Sequence, residues 1–485
     1  MYISKMILNN FKSFKGTHEI NFSNGVNYFV GNNNFGKTTL FYALEFITGG
    51  ASKSDVVSNT CPKEDVSVEI YLSDVNKEII PQKYQRCIQN NTIRIKRSSK
   101  EETIIQNGKP VTLNIKKVRV YNPEKNEEKL EGQFENISGI DKTIKELLSF
   151  TTVYAEMQNN EFQNFGSTKI TGKLIEQISR NFVETEIYKT FIASYEKAFR
   201  TDKEGFKENL SQTLSSINST MNDQFGNVQI GINFNIPDIH DFIKNANFTV
   251  KENKKETNIS ENGNGLQRAL AFSIIQVFAK QSRQNKQFPL FFLLDEPELY
   301  LHPKAQDNLL NAINDLSEFD QFFITTHSPY ILRHLRNNKD KVIILNKSDK
   351  NSPIDTNDLI FDSISIGEIT YKAFHVPTAD FHSELFTKLY VHWVETTPTQ
   401  ESHGINAFEK DFLLPKVQDN PDLIKLMQER YNAGKFKPSK QHSLPFIIRN
   451  TIDHPELREG GHNFPITDQD LKISIDFMIK LQKTI

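Results

Sequence analysis

The sequence predicts an α/β fold: a head of mixed and antiparallel sheets with helices, a short helical arm and a helical C-terminal domain. Three observations predict it. A buried strand, Val26–Val30, runs through a glycine-rich turn into an apolar helix, Leu40 to Ile47. A continuous apolar run, Leu290 to Leu294, ends in two carboxylates, and a second run ends at His327. Between these halves lies a polar, glycine-poor stretch of helical pattern.

In chain order, residues 1–141 form the first lobe. Beyond the glycine-rich turn it holds strand candidates starting at Ser67, Thr92 and Lys116, with turn chemistry at Asn107-Gly108 and Asn122-Pro123. Residues 142–225 read as a compact helical arm or lid, too short for a long antiparallel coiled coil. Residues 226–348 form the second lobe, and residues 349–485 a helix-rich tail. In that tail Asp380–Trp393, Asn420–Tyr431 and Asp468–Gln482 read as amphipathic helices.

Composition removes several classes of protein. Among 485 residues no stretch reaches the ~20 apolar residues of a membrane span, and the opening lacks a signal-peptide pattern. Two cysteines, Cys61 and Cys87, supply neither a disulfide framework nor a cysteine-rich zinc site, so a reducing cytoplasm is expected. A net charge of −2 argues against a surface coated in phosphate-binding lysines.

The chemistry-bearing residues fall into one constellation. Gly31 to Thr38 fits G-x4-G-K-[ST] between a strand and a helix, the context a phosphate-binding loop requires. Its backbone amides and the helix N-terminus suit phosphate oxygens. Asn32, Asn33, Asn34, Gly36, Lys37, Thr38 and Thr39 are therefore the candidate ATP contacts. Lys37 is expected to reach the β- and γ-phosphates, and Thr38 to hold Mg2+ through its hydroxyl. Asp295 is expected to bind Mg2+, directly or through water, and Glu296 to polarise the attacking water. Two adjacent acids can merely solvate a strand end, but here they follow a hydrophobic run in a chain with a phosphate loop. His327, ending the next predicted strand, sits where a γ-phosphate sensor belongs.

A second glycine turn, Gly263-Asn264-Gly265, opens another apolar helix and a second anion-binding terminus. One domain has no use for two such termini around one nucleotide. Two copies packed head to tail do, with Asn264 and Gly265 of one closing over the nucleotide of the other.

Together these residues, with the opening Asn10-Phe11-Lys12-Ser13-Phe14, resemble the ABC-type ATPases of the RecF, SMC and OLD group. The resemblance covers roughly Met1 to Leu335 and implies an ATP-sandwiched dimer with the signature turn acting in trans. It also implies a Gln-containing loop at the root of the arm, for which Gln158 is the candidate metal contact. The signature is similar to the G-x-G-L-Q-R form of OLD-like proteins, with Asn264 replacing the usual serine. The arm is too short for an SMC tether, and no acidic pattern of the TOPRIM nuclease follows His327. What remains resembles the ATPase subunits of anti-phage systems such as Septu or PARIS.

In the tail, Arg449, Asn450 and His454 match R-x4-H, the motif of HEPN ribonucleases. Residues five apart on a regular helix are separated by about 140°, so Arg449 and His454 meet only if the helix end unwinds. A capping or oligomerisation role is the plainer alternative.

Three functions stay open. One is a defence ATPase, an ATP-linked homodimer or larger oligomer controlling a separately encoded nuclease or toxin, or its own tail. The others are a RecF-like repair ATPase and an ATP-gated platform. Repair calls for a basic stripe facing nucleic acid, a further candidate partner. Arg94, Lys96, Arg97 and Lys100 are the best local cluster, although such alternation also marks a solvated strand face.

Overall fold

Strands that read as unbroken apolar runs are buried on both faces, and here they form one sheet. In the computed structural model, Val26–Val30, Phe291–Asp295 and Gln321–Thr326 are buried at every position. The structure describes residues 1–32, 36–106, 109–125, 133–155, 170–200, 206–226, 228–236, 238–243, 246–252, 255–285, 288–336, 338–345, 354–355, 360–361, 365–397, 403–418, 420–427, 430–431, 435–436, 440–453 and 466–485. They form two units: Met1–Thr152, Phe288–Glu298 and Ser317–Ile485 in the first, Val153–Gln287 and Leu299–Leu316 in the second.

The core sheet of the first unit has the order Ile354–Asp355, Lys341–Ile344, Val26–Val30, Gln321–Thr326, Phe291–Asp295, Phe150–Val153. The four middle strands are parallel. Phe22, Phe29 and Phe323 pack ring against ring on this sheet. Buried polar groups tie it to its surroundings. Gln321 accepts from Ile3 N at 2.8 Å and donates to the carbonyls of Ile3 and Ser23. Asp340 accepts from Val26 N at 2.9 Å.

An antiparallel sheet lies in the same unit. Tyr2–Asn9 pairs with Thr17–Asn21 and Val66–Ser73, which pairs with Thr92–Gln106 and through it with Lys109–Tyr121. Alternation sets its faces: Val66, Val68, Ile70 and Leu72 are buried, as are Ile93 and Ile95. Register carries Gln106 opposite Lys109; the Asn107-Gly108 turn lies outside the described residues.

Two members of the basic cluster on Thr92–Gln106, Arg94 and Arg97, are engaged by neighbouring groups. Arg97 falls on the buried face at 4% exposure. Its Nε donates to the carbonyl of Ile47 at 2.8 Å, and its Nη2 meets Asp141 at 2.6 Å. A guanidinium thereby closes the C-terminal end of helix Lys37–Gly49, where unpaired carbonyls and the helix dipole favour a cation. Gly50, at φ 67°, lets it in, because a Cβ there would stand 2.7 Å from Arg97 Nη1. Arg94 is bound to Glu69 by two hydrogen bonds, at 2.9 and 2.8 Å, and lies over the rings of Tyr71 and Tyr121.

The expected arm is not helical throughout. Phe150–Val153 is a strand of the core sheet, and the helices of the second unit begin with Ile170–Val183, Glu186–Arg200 and Phe206–Phe225. A hairpin, Thr249–Glu252 with Lys255–Asn258, precedes helix Asn264–Asn285, which packs on helix Pro303–Leu316.

Helices Ala379–Thr396, Leu444–Asp453 and Asp468–Gln482 surround a tail core built on Phe381, Leu389, Trp393, Phe408 and Ile475. Thr467 and Asp470 form a capping box at the start of the last helix. The expected helix over Asn420–Tyr431 is corrected. Ile424–Met427 is a strand, paired antiparallel with Lys440–Ser443.

His382 is fully buried in this core, with Nε2 2.9 Å from Ser474 Oγ, and burial pulls its pKa down to about 3. An unfolded chain titrates the same ring near ~6.5. Above that pH the ring is neutral in both states and its packing contributes in full. As pH falls from about 6.5 towards about 3, the unfolded chain takes up a proton the fold excludes, at a cost of up to about 1.4 kcal/mol per pH unit. Urea unfolding should therefore show a steeper acid loss for the parent than for His382→Gln; parallel losses would refute it.

Candidate functional site

The site grows from the strand Val26–Val30. Gly31 follows at φ 148°, where a Cβ would lie 2.4 Å from the carbonyl of Leu345. Gly36 stands at the N-cap of helix Lys37–Gly49 with φ 87° and no side chain to cap it. A Cβ there would meet Ser13 Oγ at 2.6 Å and Phe14 at 3.1 Å. The Asn10–Phe14 segment thus supports the loop from below, and Ser13 Oγ donates to Thr39 Oγ1 at 3.3 Å. First-turn amides left without a capping side chain suit an anion. Asn32 belongs to the described part of the loop; Asn33 and Asn34 lie outside the described residues.

Lys37 is the hub. Its Nζ donates to the carbonyls of Gly31 at 2.7 Å and Asn32 at 3.1 Å, and to His327 Nε2 at 2.7 Å. Burial lowers its pKa to about 8, opposed by the carboxylates of Glu296, Asp295 and Glu298. Burial and the Lys37 ammonium together hold His327 below its ordinary range, so the ring is neutral and accepts from lysine.

The strand Phe291–Asp295 delivers the carboxylates. Asp295 Oδ1 accepts from Thr325 Oγ1 and lies 3.5 Å from Thr38 Oγ1. A hydroxyl and a carboxylate are the hard oxygen donors Mg2+ takes, with phosphate oxygens and water completing its shell. Thr38 and Asp295 fit that ion. Glu296 adopts a left-handed backbone, φ 44°, anchored by its amide donating to the Thr325 carbonyl at 3.0 Å. That bend turns its carboxylate towards His327, with Oε1 3.3 Å from Nε2.

Lys37, Thr38, Asp295, Glu296 and His327 are therefore brought to one edge. Sequence reasoning missed Thr325, Thr326 and Glu298. The available signal was the second acid in Asp295-Glu296-Pro297-Glu298 and the paired threonines before His327.

Asn264 and Gly265 belong to the second unit, at the start of helix Asn264–Asn285. Gly265 has a steric reason to be glycine, since a Cβ would lie 2.8 Å from the carbonyl of Tyr300. Gln267 Nε2 secures the turn by donating to the Asn262 carbonyl at 2.6 Å. Gln158 lies outside the described residues. In the tail, Arg449 Nη2 pairs with Asp453 at 2.6 Å and Nη1 donates to Asn450 at 3.0 Å; His454 lies outside the described residues.

Three adjacent parallel strands thus carry a lysine loop, an Asp-Glu pair and a histidine to one edge, which defines a P-loop ATPase. The chain belongs to the AAA ATPase domain family (AAA_15), which matches residues 1–332. It is 26% identical to the Old nuclease of Escherichia phage P2 over 350 residues, 68% of this chain and 57% of that protein. It is 24% identical to Endonuclease GajA of Bacillus cereus (strain VD045) over 374 residues, 70% of this chain and 57% of that protein. The chain thus spans little more than half the length of either relative. Among solved structures, an Smc head domain with an extended coiled coil from Pyrococcus furiosus is similar at 16% identity. That match has a TM-score of 0.39, over 73% of this chain and 95% of that one. Among the described residues no helix is long and apolar enough to cross a membrane.

Proposed function

We propose that this ATPase is the sensor or regulator of an anti-phage defence system, acting on a nuclease or toxin effector through an ATP-closed dimer. The loop amides and Lys37 hold the β- and γ-phosphates. Thr38 and Asp295 hold Mg2+, Glu296 polarises the attacking water, and His327 contacts the γ-phosphate. Two copies close head to tail, the Asn264–Gly265 turn of one meeting the nucleotide of the other.

The observation that carries this reading is the second glycine turn. Gly265 is pressed against the Tyr300 carbonyl at the start of a long helix, a rigid anion-binding terminus beyond the one on the phosphate loop. ATP shifts such a switch only by its extra affinity for the closed state, so hydrolysis resets it. The link to a nuclease draws on two relatives that are themselves named nucleases.

The test is phage plating on cells carrying this gene with its neighbours, beside pull-down of the tagged chain. Protection that disappears with Glu296→Gln, and a nuclease or toxin co-purifying with the chain, is the expected result. Salt-sensitive DNA binding without protection would replace it with the repair reading. RNA cleavage by the chain alone, lost in His454→Ala, would make the tail the effector.

A further inference from the structure

Glu298 stands two residues beyond Glu296 and outside every role assigned above. Its side chain is 8% exposed, a setting in which a carboxylate is strongly disfavoured unless hydrogen bonds meet it. One such bond comes from the strand end that leads into His327. Thr326 Oγ1 donates to Glu298 Oε1. Ser328 N donates in turn to Thr326 Oγ1 at 2.9 Å. The Thr326 hydroxyl thus ties the residues on either side of His327 to one buried acid. Burial raises the Glu298 carboxyl to about 7 against the pull of the Thr326 hydroxyl.

We propose that Glu298 is a positioning residue for ATP hydrolysis: it clamps the Thr326–Ser328 turn and so holds His327 Nε2 against Lys37 and Glu296. The proposal rests on reading His327 as the γ-phosphate contact. His327 Nε2 stands 2.7 Å from Lys37 Nζ and 3.3 Å from Glu296 Oε1, so a small rotation of the turn would break the alignment. Groups placed to the wrong side by an ångström lose rate more than affinity.

The experiment measures ATP turnover and ATP binding by the full chain in Glu298→Ala, Glu298→Gln, Thr326→Val, His327→Ala and the Glu298→Ala/His327→Ala double variant. Glu298→Ala is expected to lower kcat by about 10- to 100-fold, as lost outer-shell support does, with ATP affinity unchanged. Glu298→Gln keeps an acceptor oxygen and should fall between. The double variant should be no slower than His327→Ala alone, because both changes remove one function.

Full multiplication of the two losses, or loss of ATP binding together with kcat, would overturn the clamp. A slow His327→Ala beside a fast Glu298→Ala sinks the clamp and leaves the site reading intact. If His327→Ala turns over normally, the site reading fails and takes the clamp with it. Should Glu298→Ala not fold, Glu298→Gln and Thr326→Val replace it, with the same lack of additivity required.

Discussion

Glu296→Gln protein binds ATP and does not turn it over: kcat should drop by about 100- to 1,000-fold, the usual weight of a general base. The amide fills the space of the carboxylate, and the bend at φ 44° with its anchor on the Thr325 carbonyl does not depend on charge. Lys37 and Thr38 still meet phosphate, so affinity stays near that of the parent. The closed, ATP-bound dimer should then accumulate, visible by size-exclusion chromatography with ATP and absent with ADP. Turnover within tenfold of the parent would remove Glu296 as the base.

The second large effect is Lys37→Ala. The buried ammonium is held among two loop carbonyls and His327, ready to exchange those partners for phosphate oxygens. Removing it should weaken ATP binding by on the order of 3 kcal/mol, a factor of about 100–200. The close backbone contacts at Gly31 and Gly36 do not involve the lysine, so the melting temperature should move little. Calorimetry showing ATP affinity within threefold of the parent would contradict this.

The phosphate loop, the acid-ended strand and the histidine were legible because each is a local pattern whose meaning depends on a strand beside it. What was not legible depends on distant partners. Leu423 to Tyr431 is rich in Leu, Lys, Met, Gln, Glu and Arg, all good helix formers. Yet Ile424–Met427 pairs with Lys440–Ser443 beside the tail core, and sheet pairing overrides propensity. Arg97 looked like one more charge on a strand; only the fold supplies the carbonyl of Ile47 and the carboxylate of Asp141 that bring it inside. Phe150–Val153 cannot be told from the helical arm around it, because a four-residue strand leaves little periodicity. Glu298 was visible as an acid, but its partners sit on the neighbouring strand's end.

The place of Val26–Val30 in the core sheet also governs how the protein comes into being. Its neighbours are strands made much later, and Asn27 meets the Phe322 carbonyl across 295 positions. At about 5–20 residues per second, a ribosome needs roughly 15–60 s to supply them. The antiparallel pairs of Tyr2–Asn9, Thr17–Asn21 and Val66–Ser73 join nearer segments and can form meanwhile. Val26–Val30 is therefore made well before its native partners, and long-range pairing of this kind is slow and exposed to aggregation. The sheet around that strand is complete only once Lys341–Ile344 has been made.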